Sequence, residues 1–154
     1  MRQIEDVDRD GIVDALDELE FFQNFSIYEK KRITGLFAHF FIYEQGEKLI
    51  EQGTSDTAFL ILISGRASVH KAGVAEPLAV IGAGEFVGEM AFLSSQPRTT
   101  TVQAEEQTMV IRVDQELLGR LGAEIREKIK DRIIKKLVQR VADMTQRLSG
   151  QGKP

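Results

Sequence analysis

A chain of 154 residues, 42% hydrophobic and 29% charged, is long enough for one domain with its own core and a modest additional element. The absence of cysteine excludes disulfide staples and thiolate metal sites, and it suits an intracellular, cytoplasmic protein. The net charge of -4 comes with no apolar run near the ~20 residues that span a bilayer, and the acidic start MRQIEDVDRDG has neither a basic nor an apolar leader region, so neither membrane insertion nor export is expected.

In chain order, Val13, Leu16 and Leu19, then Ile33, Leu36, Phe37 and Phe40, recur at helical spacing and predict a helical hairpin over residues 1–40, interrupted near residues 25–28. Ser26 followed three residues later by Glu29 has the pattern of a capping box and marks the second helix's start. From 41 to 113 the period falls to two, with β-rich stretches at 58–63, 67–71, 78–81, 99–103 and 108–113 separated by Gly46, Gly53, Gly65, Gly73, Gly82 and Gly84. Short strands at that rhythm predict an antiparallel sandwich or barrel and leave no room for βαβ units. Asp114 reads as an N-cap, after which the chain is helical to Leu148 with a break at Gly119 or Gly122. Ile134, Leu137, Val141, Met144 and Leu148 follow spacings of 3, 4, 3 and 4, a seam that predicts either a core stripe or a partner helix, and hence a homodimer through this segment. The same end is basic: residues 126–154 hold 9 basic against 3 acidic side chains, whereas 1–60 hold 13 acidic against 6 basic. Such a basic run reads as a solvated helix face before it reads as a nucleic-acid surface.

The stretch richest in chemistry is 84-GEFVGEMAFLSSQPRTTTVQA-104. Gly88 permits close backbone approach to a ligand, and the amides of Glu89, Met90 and Ala91 open a short helix whose N-terminus favours an anion. Arg98 supplies a guanidinium that can donate to two phosphate oxygens, while Glu89, an acceptor, suits a sugar hydroxyl. One arginine balances the single charge of a cyclic phosphate better than the three or four of a nucleoside triphosphate, and the motif G-x-x-x-x-G-K-[ST] is absent. Read in isolation, Glu89 and Arg98 would be a structural ion pair, but such a pair requires neither Gly88 nor Pro97.

FVGEMA at 86–91 followed by PRTTTVQA at 97–104 resembles the phosphate-binding cassette of the cyclic nucleotide-binding domain family, whose members include catabolite activator proteins, regulatory subunits of cyclic-nucleotide-dependent kinases and nucleotide-gated channels. The resemblance continues through 45-QGEKLIEQG-53 and 58-AFLILISGRASV-69 and covers roughly residues 13–148. The expected fold is then α+β in one domain over 1–154: an N-terminal helical hairpin in 1–40, an eight-stranded antiparallel jelly-roll-like β-barrel (a double-stranded β-helix) over 41–113, and a C-terminal helical segment over 114–148. The resemblance implies that Glu89 accepts from the ribose 2′-hydroxyl, that Arg98 pairs with the cyclic phosphate, and that the amides of Met90, Ala91 and Thr99 complete its cage. Val69 and Leu78 are implied to touch the base, and Arg140 is the candidate to cap it. Thr99 permits cGMP without selecting it over cAMP. Val87, Phe92 and Thr100 depart from the family's usual residues and bear on the shape of the pocket. The implied protein is a sensor without enzymatic activity or cofactor, with cAMP or cGMP as its ligand and an effector protein as its partner.

Two other functions compete. Direct DNA binding rests only on the basic helix and would require a reading domain of ~60–70 further residues. A dimerisation module with a degenerate barrel would bind no nucleotide at all. His39 and His70 stand far apart in the sequence and argue against a metal-dependent barrel enzyme. The segment 6-DVDRDGIVDALD-17 sets Asp6, Asp8, Asp10, Gly11, Asp14 and Asp17 at the spacing of a calcium loop, with aspartate in place of the usual final glutamate. Its other reading is an acidic lead-in that favours the first turn of a helix.

Overall fold

The run FLILI at 59–63 explains the layering of the molecule, because a strand whose every side chain is buried must be covered on both faces. Leu60 and Leu62 face one apolar cluster with Tyr43, Leu49, Ile50, Ala67, Val102, Ala104 and Val110. Phe59, Ile61 and Ile63 face another, built with Phe40, Ile111, Val113 and side chains of the helices. The first cluster fills the space between two β-sheets and the second lies between one sheet and a helical layer.

The computed structural model describes residues 1–4, 9–35 and 39–151. Its elements are β1 (Arg2–Gln3), α1 (Arg9–Asp17), a 3-10 turn (Glu20–Phe22), α2 (Ile27–Thr34), β2 (Phe40–Tyr43), β3 (Lys48–Ile50), β4 (Phe59–Ser64), β5 (Arg66–His70), β6 (Ala79–Gly82), β7 (Phe86–Val87), α3 (Glu89–Ser94), β8 (Thr101–Ala104), β9 (Thr108–Val113), α4 (Gln115–Arg120) and α5 (Ala123–Gln151). One sheet has the order β1-β2-β9-β4-β7 and the other β3-β8-β5-β6, every pairing antiparallel. The fold is thus α+β, with antiparallel sheets and a C-terminal helix.

Two expectations need correction. Eight strands do lie between Phe40 and Val113, but they hydrogen-bond into two sheets of a sandwich, and no closed barrel forms among the described residues. Alternation reports which face of a strand is buried; it does not report whether edge strands meet. Residues 1–40 are also not purely helical, since Arg2 and Gln3 pair with Ile42 and Phe41 as an edge strand. Within this region α1 and α2 flank an aromatic turn, in which Phe21, Phe22 and Phe25 contact one another and Phe21 packs edge-on against Phe86 at 5.4 Å. Leu36 and Phe37 lie outside the described residues, as do Asp6 and Asp8 of the calcium-loop pattern.

Local signals hold where they rest on capping. Ser26 Oγ accepts from the Glu29 amide at 3.1 Å and Glu29 Oε1 accepts from the Ser26 amide at 2.8 Å, closing the capping box. Asp114 caps α4 by accepting from the Leu117 amide at 2.8 Å, and the break before α5 falls at Gly122. Ile125, Ile129 and Ile133 then bury one face of α5 in the helical core, with Leu137 packed partly against it. Beyond them Ile134, Val138, Val141, Met144 and Leu148 are each more than half exposed.

Candidate functional site

β7 enters the helical core through Phe86, pairs with β4 at Leu60 and Ile61, and ends at Gly88, whose φ of +92° turns the chain into α3. A left-handed residue here suits glycine, which has no Cβ to clash. α3 buries Glu89, Ala91 and Phe92 and leaves Met90 and Leu93 exposed. Phe92 stacks edge-on against Phe59 at 4.9 Å, and Phe86 meets the same ring at 5.9 Å, so aromatic packing fixes both ends of the turn. The first amides of α3 have no acceptor within the helix and point with the positive end of its dipole.

Arg98 returns to this turn from the loop between α3 and β8. Its amide donates to the Thr54 carbonyl and its carbonyl accepts from the Gly53 amide, each at 2.9 Å, which clamps the backbone. The side chain is buried, the whole residue being 5% exposed. Its guanidinium donates to the Gly88 carbonyl at 3.0 Å, to the Ala58 carbonyl, and to Asp56 Oδ2 at 3.3 Å. Burial works against the Arg98 charge and lowers its pKa, and the Asp56 carboxylate offsets part of that effect. Asp56 in turn accepts from Arg112 at 2.5 Å, and Arg112 reaches Asp114, the N-cap of α4, at 3.1 Å. A line of alternating charges therefore runs from the cassette arginine to the start of the C-terminal helices.

Burial alone would raise the Asp56 carboxyl, but the Ala58 amide, Arg112 and Arg98 together hold it below the usual aspartate value. A lowered folded value means that Asp56 contributes stability above its unfolded pKa and loses it as pH falls through the folded one. About half of the side chain is exposed, so solvent screening limits this contribution to the order of 1 kcal/mol. Denaturant unfolding of Asp56→Asn and wild type should accordingly differ at neutral pH, and the difference should shrink as pH falls below the usual aspartate range; a difference that stays constant with pH would contradict the assignment.

The other charged member of the cassette, Glu89, is 2% exposed and faces α5. Lys136 lies 3.1 Å and Arg140 3.3 Å from its Oε1. Lys136 also donates to the Phe86 carbonyl and sits 4.2 Å from the centroid of the Phe86 ring. These two cations continue a row with a four-residue step. Lys128 reaches the Asn24 carbonyl and Glu29, and Arg132 reaches the carbonyls of Glu20 and Phe21. The basic face expected to be solvated is thus in part an attachment surface, because residues four apart share one side of a helix and here share the side packed on the body. Under α5 a groove of about 500 Å³ is lined by Phe21, Ile81, Phe86, Gln139 and Arg140 among others.

Gly88, Glu89, Ala91 and Arg98 come together at the β7–α3 turn, with Met90 on its outer side. Thr99 is exposed and Thr100 half-buried in the loop that follows. Val69 lies partly buried against the intersheet core, and the Leu78 amide donates to the Val69 carbonyl at 2.7 Å, so the two residues adjoin although Leu78 is exposed. Arg140 stands on Glu89. Asp56, Arg112 and Lys136 escaped the sequence reading. Lys128, Arg132, Lys136 and Arg140 at steps of four carried a usable signal; Asp56, 42 residues from Arg98, carried none. Among the described residues no group of three His, Asp or Glu side chains is placed to hold a metal ion, and no helix is long and apolar enough to cross a membrane.

Known proteins are similar to this chain in sequence or in fold. A cAMP-dependent protein kinase regulatory subunit of Aspergillus fumigatus is 31% identical over 106 residues, which cover 69% of this chain and 25% of that protein. A cGMP-dependent protein kinase of Toxoplasma gondii is 32% identical over 79 residues, 51% of this chain and 8% of that one. The chain spans about a quarter of the length of the kinase regulatory subunits it matches. In fold it is similar to a cyclic nucleotide-binding domain from Methylobacillus flagellatus, with a TM-score of 0.72 at 19% identity over 95% of this chain and 85% of the other. The sequence pattern of the cyclic nucleotide-binding domain matches residues 40–124, from β2 through the cassette to the start of α5, and over that half of its length the chain belongs to the cyclic nucleotide-binding domain family.

Proposed function

We propose that this chain binds cAMP or cGMP at the β7–α3 turn and acts as a regulatory module without catalysis of its own, passing the signal through α5 to a partner protein in the cytoplasm. In this reading Arg98 and the amides of Met90, Ala91 and Thr99 hold the cyclic phosphate, and Glu89 accepts from the ribose 2′-hydroxyl. Val69 and Leu78 border the base, with Gly88 and Thr100 shaping the turn. Arg140 approaches from α5.

The observation that carries the reading is the charge at the site. Arg98 is 5% exposed, its guanidinium is held on the Gly88 carbonyl at the start of α3, and the half-exposed Asp56 offsets its charge only in part. A buried guanidinium at the glycine that opens α3 suits the single negative charge of a cyclic phosphodiester. Kinases named for both cAMP and cGMP among the relatives support this ligand class and leave the choice of base open.

Output runs through α5 because Glu89, proposed to meet the sugar, already contacts that helix. A nucleotide can shift the helix only by its differential affinity for two arrangements, a coupling on the order of 1–3 kcal/mol. The exposed row Ile134, Val138, Val141, Met144 and Leu148 supports a homodimer through α5, with Leu137 on the core side of the helix. Calorimetric titration of the purified chain with cAMP and with cGMP tests the proposal. Saturable binding of at least one is expected, and silence with both in a folded sample would favour a dimerisation module instead.

A further inference from the structure

Glu89 is held in an uneven way. Both cations that reach it from α5 contact the same oxygen, Oε1, and among the described residues no donor is paired with Oε2. The carboxylate is therefore fixed by one oxygen and keeps the acceptor capacity of the other.

The two cations also differ. The Lys136 ammonium is held from three sides, by Glu89 Oε1, by the Phe86 carbonyl and by the face of the Phe86 ring, and its side chain is 29% exposed. The Arg140 side chain is 58% exposed and, among the described residues, makes a single polar contact, at 3.3 Å. Exposed pairs of that kind contribute little, whereas a charge-assisted bond anchored in a partly desolvated site fixes geometry. Burial lowers the Lys136 pKa and the Glu89 carboxylate opposes that effect, so the ammonium depends on the contact it makes.

Resting on the nucleotide reading above, we propose that Lys136 is a positioning residue for the sugar-binding carboxylate: it holds Glu89 by Oε1, presents Oε2 to the 2′-hydroxyl, and so makes the seat of α5 a determinant of the choice between ribose and 2′-deoxyribose cyclic nucleotides. Arg140 assists weakly. Lys136 touches no ligand in this arrangement and acts only through Glu89. Its removal therefore affects only the part of the binding energy that passes through the sugar hydroxyl. A purely structural lysine would, on removal, weaken all cyclic nucleotides alike. A lysine that competed with the sugar for Glu89 would, on removal, strengthen ribonucleotide binding.

The experiment is calorimetric titration of the full chain with whichever of cAMP and cGMP binds the wild type more tightly, and with the 2′-deoxy form of the same nucleotide. Lys136→Met is expected to weaken the ribonucleotide about tenfold and the deoxynucleotide by less than about twofold, so that the preference for ribose shrinks. Lys136→Arg should preserve the preference, because it keeps a cationic donor for Oε1. If the methionine variant fails to fold, Lys136→Gln, which keeps a neutral donor, is expected to shrink the preference for ribose in the same direction by a smaller factor. Equal losses for both nucleotides, a gain for the ribonucleotide, or no change in discrimination would each overturn the positioning role. Such results alongside a wild type that binds would leave the proposed function standing, whereas a wild type that binds neither nucleotide overturns both readings.

Discussion

Arg98→Ala is expected to weaken cyclic nucleotide binding by ~2–4 kcal/mol, about 30- to 1,000-fold, because the phosphate would enter a desolvated turn without its countercharge. The surroundings of Arg98 predict a structural effect as well. Its guanidinium serves the carbonyls of Gly88 and Ala58, and alanine would leave both without that donor. Loss of such buried partners costs about 1–3 kcal/mol of stability. Asp56 would keep Arg112, so the link to the N-cap of α4 survives in part. Arg98→Lys separates the two effects: it retains the charge, yet a single ammonium cannot reproduce the planar fork that spans two carbonyls and a carboxylate. Binding of Arg98→Lys should be intermediate, with a stability close to that of Arg98→Ala. The measurements are calorimetry for affinity and denaturant unfolding for stability. An alanine variant that is folded and binds as tightly as wild type would remove Arg98 from the site.

The cassette was readable in the sequence because its chemistry is local. Gly88, Glu89 and the α3 amides lie within four residues, and the need for a left-handed turn before a helix is written in the glycine itself. Capping at Ser26 and Asp114 was readable for the same reason, a polar side chain bonding three residues ahead. What escaped depends on contacts between distant segments. Nothing in the segment TSDTAF distinguishes Asp56 from any other loop aspartate until β4 and β9 bring Arg112 beside it and the cassette brings Arg98. The division into two sheets depends on which edges pair, and strand alternation carries only the burial of faces. The two-residue strand at Arg2–Gln3 is too short to show any period. Phe25 falls at the expected interruption of the helical pattern and Phe21 and Phe22 just before it, with no periodicity to give them a role, yet they form the wall on which Phe86 and the row of α5 cations rest.

Gly88→Ala should be the most informative single substitution at the turn. A methyl at Gly88 would stand 2.8 Å from Arg98 Nη1, 2.9 Å from Ile50 Cδ1 and 3.3 Å from the Ala58 carbonyl oxygen. It would also have to hold a φ of +92°, a conformation costing ~1–3 kcal/mol for a residue with a Cβ. Ile50 can rotate away, but Arg98 can yield only by leaving the carbonyls that aim it, so relief of the clash displaces the phosphate ligand. Nucleotide affinity should therefore fall by at least about tenfold, beyond what the lost stability explains. Gly73→Ala provides the comparison, since that glycine has a φ of +84° with nothing within 4 Å of the added methyl. The control carries backbone strain without the clash, and its thermal stability should drop while its affinity stays at the wild-type value. Equal affinities in the two variants would mean that the position of Arg98 does not govern binding, and its burial at the turn would then be a feature of the fold alone.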